Sequence, residues 1–165
     1  MDKISPCLWF DGAAEEAARF YVSLFPDSRI DAVHRSPGDT PSGPKGMVLT
    51  VEFTLAGRSY IGLNGGPDFK FSEAISLSID CEDQAEVDRY WSALTADGGE
   101  PSVCGWLKDR FGLSWQVIPR QLPEMLASLD RDAAGRALEA MLKMTKIDVA
   151  ELERAYEGEA AGSRS

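Results

Sequence analysis

Apolar and polar residues alternate from Leu49 onward along residues 48–55 (VLTVEFTL), and along 13–25 (AAEEAARFYVSLF) apolar residues recur every third or fourth position. The first pattern predicts a half-buried strand and the second an amphipathic helix with Ala17, Phe20, Tyr21 and Leu24 on one stripe. Residues 4–10 read as a short strand before that helix, and Pro26 with Asp27 stops it. Strands at 29–35 and 58–64 flank the alternating run, with a Pro- and Gly-rich loop at 36–46 and a turn at Ala56 and Gly57. The order is strand, helix, three strands. After the loop GGPDFKF it restarts: a strand at 74–81, a helix opened by Asp83 (DQAEVDRYWSALTADGG) and closed by Gly98 and Gly99, two shorter strands, then LSWQVI. Laying EEAARFY over QAEVDRYW gives an offset of about 70 residues, too long for a solenoid repeat and suited to an internal duplication. The predicted architecture is α+β, with two βαβββ modules at about 3–66 and 72–120 forming a paired core over 1–120.

From Gln121 onward the pattern is helical: LPEMLASL, DAAGRALEAMLKM and IDVAELERAYEG carry apolar residues at helical spacing, with Asp130 and Asp148 as caps. This arm, 121–158, presents Leu138, Met141, Leu142 and Leu152 to a surface that lies on the same chain or on a second copy. Residues 159–165 (EAAGSRS up to the terminus) lack apolar periodicity and are expected to be a mobile tail. The 165 residues, 44% hydrophobic and 27% charged, have globular proportions, and no apolar run approaches the roughly 20 residues of a membrane span. The opening MDKISPCLWFDG is not built like a secretory leader, which predicts a cytoplasmic protein. Three cysteines without a CxxC pair argue against a disulfide framework or a zinc finger. A net charge of −10 with scattered basic residues argues against nucleic acid.

Three ordered motifs, LWFDGAAEEAARFYVSLFPDS, LNGGPDFKFSEAISLSI and CGWLKDRFGLSWQVIP, resemble the PhnB-like branch of the vicinal oxygen chelate superfamily, which includes glyoxalase, bleomycin-resistance and extradiol dioxygenase proteins. The resemblance covers roughly residues 4–119 and implies sheets curled around a cavity, helices outside, a small-molecule ligand and a homodimer. Proteins of this branch are often labelled demethylubiquinone methyltransferases. Methyl transfer from S-adenosylmethionine ordinarily uses a glycine-rich strand-to-helix loop in a doubly wound sheet, and the first strand here runs into WFDGAAEE instead.

In the superfamily's metalloenzymes the resemblance implies four ligands on the cavity face, at positions that match Pro6, about Gly62, Ser76 and Gln116 here. Of these only Gln116 offers a usable donor, so neither metal nor cofactor is expected. The sole histidine, His34, sits near a strand end away from those positions. If Pro6 faces the cavity, Leu8 and Phe10 do too, and Cys7 and Trp9 lie under the helix. Alternation in AISLSIDC puts Ile75, Leu77, Ile79 and Cys81 under the second helix and Ser76, Ser78 and Asp80 opposite. In LSWQVIP it puts Ser114, Gln116 and Ile118 opposite Trp115 and Val117. Glu52 points to the cavity in the same way. It reads either as a solvated or ion-paired carboxylate, or as a general base desolvated by Phe10. Gln116 reads as a hydrogen-bonding wall, Cys104 as a structural thiol, Trp91 as core, and Trp106 with Lys108 as cavity rim. The candidate ligand-binding set is Phe10, Ser76, Asp80, Trp106 and Gln116, with Glu52 the candidate catalytic residue. The competing readings are a metal-free enzyme, a protein that sequesters its ligand without chemistry, and the methyltransferase of the family label.

Overall fold

The computed structural model describes residues 2–158 and divides into two compact units, Met1–Phe71 and Ser72–Ser165. The predicted tail at 159–165 lies outside the described residues. In the first unit β1 (Cys7–Phe10), α1 (Ala14–Leu24), β2 (Arg29–Arg35), β3 (Val48–Leu55) and β4 (Arg58–Asn64) form one βαβββ module. Its open sheet has the order β1-β4-β3-β2, with β1 parallel to β4 and the other pairs antiparallel.

One face of this sheet is sealed by α1. Tyr21 reaches Phe53 (centroids 6.4 Å apart), which stacks on Tyr60 at 5.6 Å, and Ala14, Ala17 and Ala18 are small enough to bring the helix close. Asn64 ties the start of the helix down, accepting from the Ala14 amide at 2.9 Å and donating to the Val48 carbonyl at 2.9 Å. It takes the place of the missing side-chain cap at Ala13. The linker GGPDFKF folds back on the same module, where the Trp9 indole N–H donates to the Gly66 carbonyl at 2.8 Å and packs edge-on against Phe69.

The phase of β1 is the reverse of the expectation. Leu8 and Phe10 are buried, and they share a face with Gly62, Val51 and Phe53 through the registers Leu8↔Gly62, Val51↔Gly62 and Phe53↔Tyr60. A Cβ on Gly62 would stand 3.3 Å from the Ala14 Cβ and 3.7 Å from the Phe10 ring, which places this face under α1. Cys7, expected in the core, is exposed on the other face. The cause is compositional: CLWF is apolar at every position, so it carries no alternation that could fix its phase.

The second unit repeats the order with β5 (Ser76–Cys81), α2 (Gln84–Thr95), β6 (Glu100–Pro101), β7 (Trp106–Lys108) and β8 (Ser114–Pro119), in a sheet ordered β5-β8-β7-β6. Asp83 caps α2 as predicted, accepting from the Glu86 amide at 2.9 Å. Here alternation gave the right phase: Ile79, Cys81, Trp115, Val117 and Leu107 are buried with Val87, Tyr90 and Leu94 of α2. Ile75, placed with them by alternation, precedes the strand and is exposed, and Trp91 is only half-buried.

The arm comprises α3 (Gln121–Leu126), α4 (Arg131–Met141) and α5 (Val149–Glu157), with Asp130 and Asp148 capping the last two. It belongs to the second unit and is pinned to it by side chains. Leu122, Ile147 and Leu152 form a buried cluster with Ile118 and Met144 around it. Gln84 donates to the Ile147 carbonyl and accepts from the Val149 amide, Lys146 pairs with Asp88 at 2.6 Å, and the amides of Cys104 and Gly105 donate to Met144 and Thr145. Leu138 and Leu142 stay exposed at 41% and 59%.

This packing predicts that Leu152→Ala costs about 2–5 kcal/mol in urea unfolding, because it leaves a cavity in a closed cluster. Leu138→Ala, half exposed on the single chain, is expected to cost less than Leu152→Ala. A reversed order would mean that the arm buries its other face. The thiols give a second expectation. Burial pushes Cys81 up to about 12, while Cys7 is raised more modestly by the protein around it. A water-soluble disulfide reagent at mildly alkaline pH should therefore modify Cys7 and Cys104 in the folded protein and reach Cys81 only after unfolding. Because the unfolded thiol ionises first, stability is lost as pH rises from the ordinary value of 9.0 toward about 12, and Cys81→Ala should flatten that slope. Fast labelling of Cys81 in the native state would contradict its placement.

Candidate functional site

Each sheet has one face sealed by its helix and one face without it, and the predicted site residues divide between these faces. In the second unit the registers Ser76↔Ser114↔Lys108↔Glu100 and Ser78↔Gln116↔Trp106 lay two rows of mostly polar side chains across the face opposite α2. Gln116 donates from Nε2 to the Ser76 hydroxyl at 2.9 Å, so two of the four superfamily ligand positions are occupied by a neutral hydrogen-bonded pair. Asp80 stands further along β5, exposed, and meets Arg120 at 3.5 Å.

The direction of β8 is set by Asp109. Its buried carboxylate accepts from the amides of Phe111 (2.8 Å) and Leu113 (3.1 Å) and from the Trp115 indole N–H (2.9 Å). The Gly112 amide donates to the Asp109 carbonyl at 2.9 Å, closing a four-residue turn whose last position needs the positive φ of 86° that glycine takes without strain. With Trp115 fastened beneath the sheet, Ser114 and Gln116 must face the other way.

Beside these rows lies a cleft of 410 Å³ that includes Glu73, Trp106, Lys108 and Ser114 in its lining. Lys108 Nζ meets Glu73 at 2.7 Å; that hydrogen bond holds the lysine above its ordinary range and the glutamate below its own. Ser114 is 1% exposed, and its hydroxyl has no hydrogen-bond partner among the described residues. Sequence reasoning put Ser114 on this face and Lys108 at a rim, and did not find Glu73 or the acceptor role of Asp109. The Asp-x-x-Gly spacing, a turn that favours Asp at its first position, was the signal for the latter.

In the first unit Glu52 lies on the face opposite α1 and pairs with His34 Nε2 at 3.2 Å. Phe10 is on the α1 side, so the two are not neighbours, and the desolvation by Phe10 on which the general-base reading rested is not there. A pocket of 160 Å³ beside Glu52 is lined also by Arg29, Asp31 and Tyr60. Of the other superfamily ligand positions, Pro6 precedes β1 and offers its carbonyl to the Ile61 amide, and Gly62 lies under α1. Among the described residues no three His, Cys, Asp or Glu side chains gather around a common point, and no helix is long and apolar enough to cross a membrane.

The family model for 3-demethylubiquinone-9 3-methyltransferase matches residues 2–118. A PhnB protein from Bacillus cereus is 34% identical, with a TM-score of 0.65 over 72% of this chain and 99% of that one. The Pseudomonas aeruginosa protein PA1353 shares the fold at 22% identity and a TM-score of 0.58, over 72% and 98%. Comparison with curated proteins gives no match. By the extent of the family match and the identity to the Bacillus protein, the chain belongs to the 3-demethylubiquinone-9 3-methyltransferase family, with a PhnB protein among its relatives.

Proposed function

We propose that this chain binds a small organic molecule on the open sheet face of its second unit, without a metal ion, and acts as a cytoplasmic homodimer. The Gln116–Ser76 hydrogen bond carries the reading. Where a metal-binding relative presents ligands, this chain presents a neutral donor and acceptor suited to a hydroxyl, carbonyl or amide. The donor set supports the absence of a metal: proline and glycine have no side-chain donor, and a lone amide oxygen is a weak ligand for zinc, nickel or iron. The methyltransferase name has no such support, since β1 runs from Phe10 into Asp11-Gly12 without a glycine-rich loop and both sheets are mixed, with one helix each on the sealed face.

A second reading is favoured by the His34–Glu52 pair, the only histidine of the chain held by a carboxylate on an open face. Such a pair can take a proton from an acidic carbon or hydroxyl. Binding without turnover is the simpler account, because neither side chain is enclosed: they are 56% and 33% exposed. Exposed Leu138 on α4 and Leu142 just past its end support the dimer.

Native mass spectrometry of protein purified without chelator is expected to show an organic adduct and no stoichiometric metal, with the adduct lost in the Ser76→Ala, Gln116→Ala double variant. One zinc, nickel, iron or manganese per chain would contradict the proposal. If turnover of the recovered ligand follows an ionisation that Glu52→Gln abolishes, the enzymatic reading replaces simple binding. Light scattering at tens of micromolar is expected to give twice the chain mass, and a monomer would remove the dimer.

A further inference from the structure

The buried hydroxyl of Ser114 finds no partner among the described residues, and a hydroxyl shut off from solvent in that way destabilises the fold where alanine would not. It lies in the lining of the 410 Å³ cleft, next to Lys108 in the β7–β8 register. The Lys108 ammonium is held by Glu73, whose side chain is 64% exposed.

The charges of the cleft are unequal. Glu100 stands opposite Lys108 in the β6–β7 register and makes no ion pair among the described residues, so two carboxylates surround one ammonium. The chain as a whole carries −10, so no distant field favours an anion there. Trp106 lines the same cleft with a half-buried ring, a flat apolar surface that also attracts cations over its face.

Resting on the small-molecule reading above, we propose that this cleft selects a cationic arylalkylamine: the flat ring stacks on Trp106, the protonated amine sits by Glu100 and Glu73, and a ring hydroxyl or carbonyl satisfies Ser114. Entry displaces Glu73 from Lys108 and exposes the Ser114 hydroxyl to the ligand.

The test is a charge series of one shape, tyramine, tyrosol and 4-hydroxyphenylacetate, titrated into the full chain and followed by amide and indole NMR shifts. Tyramine should move the Trp106 indole N–H and the amides of Glu100, Lys108 and Ser114. It should bind about tenfold more tightly than 4-hydroxyphenylacetate, the effect expected of one exposed ion pair gained and one like-charge contact avoided. Glu100→Gln should remove most of that preference. Ser114→Ala should weaken tyramine but not phenethylamine, which lacks the hydroxyl, while leaving thermal stability unchanged or higher. Equal binding of the three probes, the reverse charge order, or no shifts at all would overturn the inference. Shifts confined to Gln116 and Ser76 would overturn it as well, yet leave the proposed binding face standing; absence of any organic adduct on the purified protein bears on that face alone.

Discussion

The buried carboxylate of Asp109 is the constraint on which the second unit's open face depends. Taking a charge out of water is costly, and it is tolerated here because three N–H donors converge on it: the amides of Phe111 and Leu113 and the Trp115 indole. Those bonds fix the turn between β7 and β8 and lock Trp115 under the sheet at the same time. Since strand side chains alternate, locking one residue decides the direction of its neighbours. Ser114 and Gln116 are held outward by a carboxylate that neither of them touches.

The two units solve the same packing problem with different residues. In the first, small alanines of α1 and the bare backbone at Gly62 let helix and sheet approach, and Asn64 supplies the helix start with an acceptor. In the second, large side chains from α2, β5 and β8 fill the sealed face, and the arm adds a cluster of its own around Leu152 and Ile147. The open faces diverge accordingly. One offers a paired histidine and carboxylate, and the other an uncharged amide–hydroxyl pair next to a cleft with an aromatic wall. A shared fold with missing metal donors is consistent with relatives that keep the scaffold and change the chemistry.

How much could be read from the chain depended on whether its pattern had contrast. SLSIDC and SWQVIP alternate clearly, so the faces of β5 and β8 were legible, and with them Ser76, Gln116 and Ser114. Aspartates ahead of apolar runs marked the caps of α2, α4 and α5, and all three cap. CLWF has no contrast, and counting from a motif assigned it the wrong phase, which misplaced Phe10 and Cys7 together. Residues meeting across long separations were beyond local pattern: Lys108 with Glu73, Gln84 with the loop before α5, His34 with Glu52. Such pairs depend on strand order, which alternation alone does not encode.

The most direct measurement of this account is the amide and side-chain NMR spectrum of Asp109→Asn. With one oxygen kept for the turn amides, the new NH₂ group meets the Trp115 indole N–H, donor against donor, and the anchor is lost while size is preserved. The account predicts that the change spreads from the turn to the open face, shifting Ser114, Ser76 and the Gln116 side-chain amide. Shifts confined to residues 109–113, with the Gln116 amide unmoved, would contradict the claim that this buried carboxylate positions the binding face.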